Sequence, residues 1–151
     1  MIFLRDPSSY HGEKNKRPFF EGWYHKMVTG DGQSLAIIPG IYRSGFNNNQ
    51  TAFIMIYDGD KGNVFYEQFE VQQFSCSTSS YSLHIGSNYF SSEKIILDIA
   101  SDTLTIKGQV TANNLKPWPV TLFEPGCMGW YAYVPTMECF HGILSMDHTR
   151  N

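Results

Sequence analysis

Val64 to Val71, VFYEQFEV, is the stretch whose reading decides the fold. Phe65, Glu67, Phe69 and Val71 occupy one set of alternate positions, and Val64, Tyr66, Gln68 and Glu70 the other. Successive strand residues point to opposite faces, so this period of two predicts a half-buried strand. Moving outward, the same signal recurs between turn residues. Upstream lie the near-continuous apolar run Thr51 to Tyr57 (TAFIMIY) and the tight-turn segment DGDKGN that follows it. Ser34 to Tyr42 (SLAIIPGIY) reads as a strand in which Pro39-Gly40 predicts a bulge, a kink or an edge position. Phe19 to Val28 (FFEGWYHKMV) reads as the first strand, and TGDGQ after it carries hairpin chemistry.

Downstream, Tyr81 to Ile85, Ile95 to Ile99 and Leu104 to Val110 alternate, the last most cleanly. Lys116 to Gly126 (KPWPVTLFEPG) is too rich in proline to be a central strand throughout. Glu138 to His148 is again strand-like, and no amphipathic helix is evident. About eight or nine short strands joined by hairpin-type turns predict an all-β antiparallel meander, as in a barrel or sandwich. Residues 1–18 read as an irregular polar lead-in and 19–151 as one β domain.

Composition agrees: of 151 residues 42% are hydrophobic and 15% aromatic, against only 17% charged, which suits one all-β core. The net charge of −3, with scattered Lys and Arg, argues against a nucleic-acid partner. The N-terminus turns polar from Arg5 onward, so it reads as neither a signal peptide nor a membrane span. Three cysteines, Cys76, Cys127 and Cys139, form no C-x-x-C pair, and a reduced cytoplasmic protein is the simplest expectation. Gly-x-Gly occurs only at Gly30 and Gly32, in a turn, so no phosphate-binding loop or cofactor is indicated.

Polar groups that intrude on apolar faces are the candidates for chemistry. Glu67 sits between Phe65 and Phe69, and a desolvated carboxyl has a raised pKa, the state a general acid needs near neutral pH. Glu21 shares a face with Phe19, Trp23, His25 and Met27, where it could act as an acid or steady a cation resting on Trp23. For both, the ordinary alternative is a local ion pair on a mixed face. In the last segment His141 and Asp147 lie about 20 Å apart along a strand, and His148 points to the opposite face, so neither a serine triad nor a zinc site is supported. Trp118, Trp130, Tyr131 and Tyr133 could line an apolar pocket or fill a core.

FFEGWYHK (Phe19 to Lys26) and MGWYAYVPTMECFHGILSMDH (Met128 to His148) together resemble the tocopherol cyclase-like family. LAIIPGIY (Leu35 to Tyr42) and FEVQQF (Phe69 to Phe74) are similar to family segments too, so the likeness runs from Arg17 onward. The resemblance implies a lipocalin-like barrel or half-barrel, the first of two similar β units, without the second unit's Gly-Tyr-Ile-Glu-Lys-Asp-Trp-like motif. Such a cut would leave strand edges open to self-association.

The plant enzymes of the family close a chromanol ring on a prenylated quinol by protonating the prenyl double bond. The implied acids are Glu21, Glu67 and Glu138, with His141 and Asp147 orienting the phenol. The implied ligand-binding residues are Trp23, Tyr24, Trp130, Tyr131, Tyr133 and Met137. Neither metal nor cofactor is implied, and the implied partner is an apolar small molecule. A non-catalytic lipocalin-like carrier and an inactive truncated remnant are the alternative expectations.

Overall fold

Two antiparallel sheets bury their facing sides against each other. The computed structural model describes residues 7–13, 18–44, 49–134, 142–143 and 145–146. The first sheet contains β1 (Phe19–Gly22), β2 (His25–Val28), β3 (Ser34–Arg43), β4 (Gln50–Asp58) and β5 (Asn63–Glu70). Its order is β1-β3-β4-β5, and β2 continues the lane of β1 along β3. The second sheet contains β6 (Phe74–Cys76), β7 (Ser82–Ile85), β8 (Asn88–Ser91), β9 (Lys94–Ala100) and β10 (Thr105–Thr111), each paired with the next. A short third ladder joins β11 (Lys116–Pro117) to β12 (Ser145–Met146). The chain is all-β and antiparallel, and among the described residues the two main sheets do not close into one barrel.

Alternation explains the core. Ile37, Ile41, Ala52, Ile54 and Ile56 of the first sheet meet Leu83, Ile85, Phe90, Ile95, Leu97 and Ile99 of the second. Phe65 and Phe69 join this layer from β5. The corner between the sheets is a single 3-10 turn, Val71–Gln73, whose N-terminal end is closed by a reciprocal capping box: the Glu70 side chain accepts from the Gln73 N–H and the Gln73 side chain from the Glu70 N–H. β5 and this turn pass across strand ends of the second sheet: Glu67 of β5 meets Ser101 and Thr103, and Gln73 of the turn accepts from Gly86 N–H. A strand that switches sheets at a bend is the usual corner of a near-orthogonal packing.

Two departures from the sequence reading share one cause. Phe19–Val28 divides into β1 and β2 at Trp23-Tyr24, and β3 runs unbroken through Pro39 as an interior strand. Pro39 carries no N–H, and its carbonyl faces the interruption, where it accepts from Trp23 N–H at 3.0 Å. The proline therefore costs the sheet little, because its missing donor points to the lane that is already broken. Leu104–Val110 appears as edge strand β10, with Ile106 half-buried and Val110 exposed.

Gly40 is needed for another reason. A Cβ there would lie 2.4 Å from the Phe53 ring and 2.7 Å from the Glu21 carbonyl oxygen, whereas one at Gly108 would meet nothing within 4 Å. Overpacking of this kind costs about 1–3 kcal/mol. Gly40→Ala is expected to lower the urea-unfolding free energy by about that amount, while Gly108→Ala leaves it unchanged or slightly raised. Equal effects of the two substitutions would contradict the packing described for Gly40.

Candidate functional site

The aromatic end of the inter-sheet layer concentrates the polar chemistry. β1 and β2 send Phe19, Glu21, Trp23, His25 and Met27 inward, the face expected from their spacing. Trp23 is only 5% exposed and stacks on Tyr81 with centroids 5.5 Å apart. His25 stacks on the same ring and on Phe90, and its Nε2 lies 2.6 Å from the Tyr81 hydroxyl. Burial lowers the His25 pKa to about 4 and keeps the Tyr81 phenol far above its ordinary value. At neutral pH the pair is thus an uncharged imidazole hydrogen-bonded to an uncharged phenol.

A second polar group lies beside it. The non-strand segment Pro7–Glu13 drives Tyr10 into a cage of Phe19, Trp23 and Phe74, with ring centroids 6.2, 6.4 and 5.4 Å away. Gly12 allows this close passage, since a Cβ there would fall 2.4 Å from the Phe19 ring and 2.5 Å from the Tyr10 hydroxyl oxygen. Glu21 fastens the segment: one carboxylate oxygen accepts from the His11 backbone N–H at 3.0 Å, and the other lies 2.8 Å from His11 Nδ1. Arg43 donates to the Gly12 carbonyl and sets its guanidinium carbon 5.9 Å from the Tyr10 ring centroid.

The Tyr10 hydroxyl and Arg43 Nε are buried without a hydrogen-bond partner. Burial pushes the Tyr10 hydroxyl up, and the neighbouring Arg43 charge opposes that shift. Burial, helped by the Glu21 charge, also pushes the Cys76 thiol up to about 12, so it is no ready nucleophile.

The other candidates lie elsewhere. Pairing through Ile41, Ala52 and Phe69 puts Glu67 three strands from Glu21, about 16 Å away. There it accepts from Ser101 Oγ and Thr103 Oγ1, both at 2.8 Å, on the wall of a polar cleft of about 450 Å³ shared with Gln73, Asn88 and Asp98. Tyr24 points away from Trp23 and is 63% exposed.

Trp130, Tyr131 and Tyr133 lie on a 3-10 turn, Gly129–Tyr133, outside the core cluster. Trp130 is 76% exposed and meets Tyr131 edge-on, and the Tyr133 hydroxyl donates to the Leu122 carbonyl. Glu138, His141, Asp147 and Met137 fall outside the described residues. Among the described residues no group of three or more His, Cys, Asp or Glu could hold a metal ion, and no helix is long and apolar enough to cross a membrane. Family models, curated proteins and solved structures yield no match to this chain.

The participants missed by sequence reading are Tyr10, His11, Arg43 and Tyr81. Tyr10 and His11 lie in a polar segment without periodicity, and Arg43 and Tyr81 at strand ends, so no local pattern marked them.

His25 supplies a test. Its native pKa lies below that of the unfolded chain, so between about pH 6.5 and 4 only the unfolded state takes up the proton. Stability from this residue is full above pH 6.5 and lost as pH falls toward 4, by about 3 kcal/mol. Urea titrations should show wild type losing about 3 kcal/mol more than His25→Gln across that interval. Parallel pH profiles for the two proteins would place His25 in water.

Proposed function

We propose that the aromatic end of the inter-sheet layer is a head-group site for a prenylated quinol or another apolar isoprenoid, in keeping with the tocopherol cyclase-like resemblance. The observation that carries this reading is Tyr10 itself. A phenol ring from outside the sheets already lies in the cage of Phe19, Trp23 and Phe74, its hydroxyl beside Arg43. A quinol has the same ring and the same hydroxyl. Displacing Tyr10 would offer it aromatic walls, a guanidinium for its oxygen, and Glu21 and the His25–Tyr81 pair close by.

Ring closure in such a site would protonate the prenyl double bond and form the C–O bond from the phenol oxygen to the tertiary cation. The phenol proton then leaves, so the acid is regenerated. Glu21 is the acid beside the cage, and Trp23 and Tyr81 present faces that tolerate a cation. A specific observation favours a second reading, a carrier without chemistry. Both Glu21 oxygens are engaged by His11, and the His25–Tyr81 pair is neutral, which suits recognition better than proton delivery.

Truncating Tyr10 should empty a ring-sized apolar hole of the kind that binds small aromatics. Tyr10→Ala is expected to bind a short prenylated hydroquinone about tenfold or more tighter than wild type, followed by quenching of the buried Trp23. Glu21→Gln then separates the readings. A carrier keeps its affinity and yields no chromanol with either protein, whereas a cyclase keeps affinity and loses product in the variant. Absence of binding by both wild type and Tyr10→Ala would end the proposal.

A further inference from the structure

The outward face of the first sheet takes no part in the aromatic end. Phe20, Gly22, Lys26, Val28, Ala36, Ile38, Gly40, Tyr42, Phe53, Met55, Tyr57, Val64 and Tyr66 alternate away from the core on their strands, and pairing sets them in rows. Phe20, Phe53 and Tyr66 form a continuous stack, with centroid spacings of 5.7 Å at both steps and interplanar angles of 11° and 22°. Phe53 at its centre is 2% exposed, pressed over Gly40, so the stack lies flat against the sheet. Around it Phe20, Val28, Tyr42, Val64 and Tyr66 are exposed. Sheets that face water on one side usually alternate polar residues outward; here Ser34, Thr51 and Gln68 share the face, but the aromatic stack and its exposed apolar neighbours occupy most of it.

Two ionised side chains stand in these rows. Lys26 belongs to the row Lys26–Ala36–Tyr57–Val64, on the β2 edge. Glu70 belongs to the row Phe20–Tyr42–Thr51–Glu70, on the opposite edge and at the opposite end. A two-fold axis in the plane of the face, bisecting the line between these corners, exchanges them. It would set each copy's Lys26 over the other's Glu70, with the aromatic stacks between. Glu70 also accepts from the Gln73 N–H, and a carboxylate retains acceptor sites for a second partner.

Size agrees with charge. The four strand lanes at about 4.8 Å, over about eight residues at 3.3 Å, span about 500 Å² of sheet. Two copies face to face cover about 1,000 Å², the least a specific interface needs, and the patch is at the upper end for a surface left bare on a monomer.

We propose that this face is an isologous interface with a second copy of the chain, stack against stack, with Lys26 and Glu70 reciprocally paired. The interface is separate from the Tyr10 cage, so it stands or falls independently of ligand binding.

Sedimentation equilibrium of the full chain across the micromolar range tests it. Wild type is expected at twice the chain mass, and Tyr66→Glu at the monomer mass with unchanged far-UV circular dichroism. Lys26→Glu and Glu70→Lys, both at exposed positions, should each weaken the dimer about tenfold, and the double reversal should recover most of that loss. A monomeric wild type throughout the range would overturn the proposal. So would a dimer indifferent to all of these substitutions, which would place association at the open edges of β5 or β10.

Discussion

Strand β3 pairs with β1, β2 and β4 at once, and both of its faces must be accommodated. Ile37 and Ile41 go to the inter-sheet core, which leaves Ala36, Ile38, Gly40 and Tyr42 for the other side. A slip of one residue would turn the isoleucines to water and bring Gly40 inward. The same register puts Pro39 opposite the break between β1 and β2, and Gly40 beneath Phe53. Everything at the aromatic end follows from it. Trp23 is tied to the Pro39 carbonyl, and the inward turn of His25 beside Ile37 brings it to Tyr81.

Polar groups enter this layer under two different regimes. His25 and Tyr81 are buried as neutral partners, so neither charge has to be desolvated, and the cost appears as displaced pKa values. Glu21, His11 and Arg43 lie nearer the rim, where hydrogen bonds hold the Pro7–Glu13 segment down. Between the two regimes is the Tyr10 ring, apolar in its contacts and unpaired at its hydroxyl. An unpaired buried hydroxyl costs about 1–3 kcal/mol, so other contacts of the segment must offset it. The aromatic cage is where that offset is found.

Periodicity carried much of this. The inward face of Phe19–Val28 and that of Val64–Val71 were legible because a two-residue period does not depend on distant partners, and the assignment survived even the break at Trp23-Tyr24. The antiparallel all-β class was legible from turn chemistry between apolar runs. What joins across the chain was not. Tyr10 reaches the core from a segment with no repeat to read, and the hydroxyls that hold Glu67 come from Ser101 and Thr103, more than thirty residues later. Nothing local marks Lys26 and Glu70, which pairing puts at opposite corners of one face. The unbroken run of β3 through Pro39 was hidden for the same reason, since a proline's cost depends on which neighbour lane its nitrogen faces.

The contrast between Glu21 and Glu67 shows why strand pattern alone cannot assign an acid. Both sit between aromatic residues on an inward face, and the sequence treats them alike. In the fold, Glu67 lies at the corner where β5 crosses the strand ends, so the groups above it are turn hydroxyls and a polar cleft. Glu21 lies where a lane edge meets the Pro7–Glu13 segment, so its neighbours are His11, Tyr10 and the Cys76 thiol. Glu67 is thus a carboxylate held by two hydroxyls beside a polar cleft, away from the aromatic cage. Glu21 instead clamps the Pro7–Glu13 segment beside the aromatic cage. The same face and the same residue type thus meet different surroundings, and the difference lies in what crosses each strand end: turn hydroxyls at Glu67, the Pro7–Glu13 segment at Glu21.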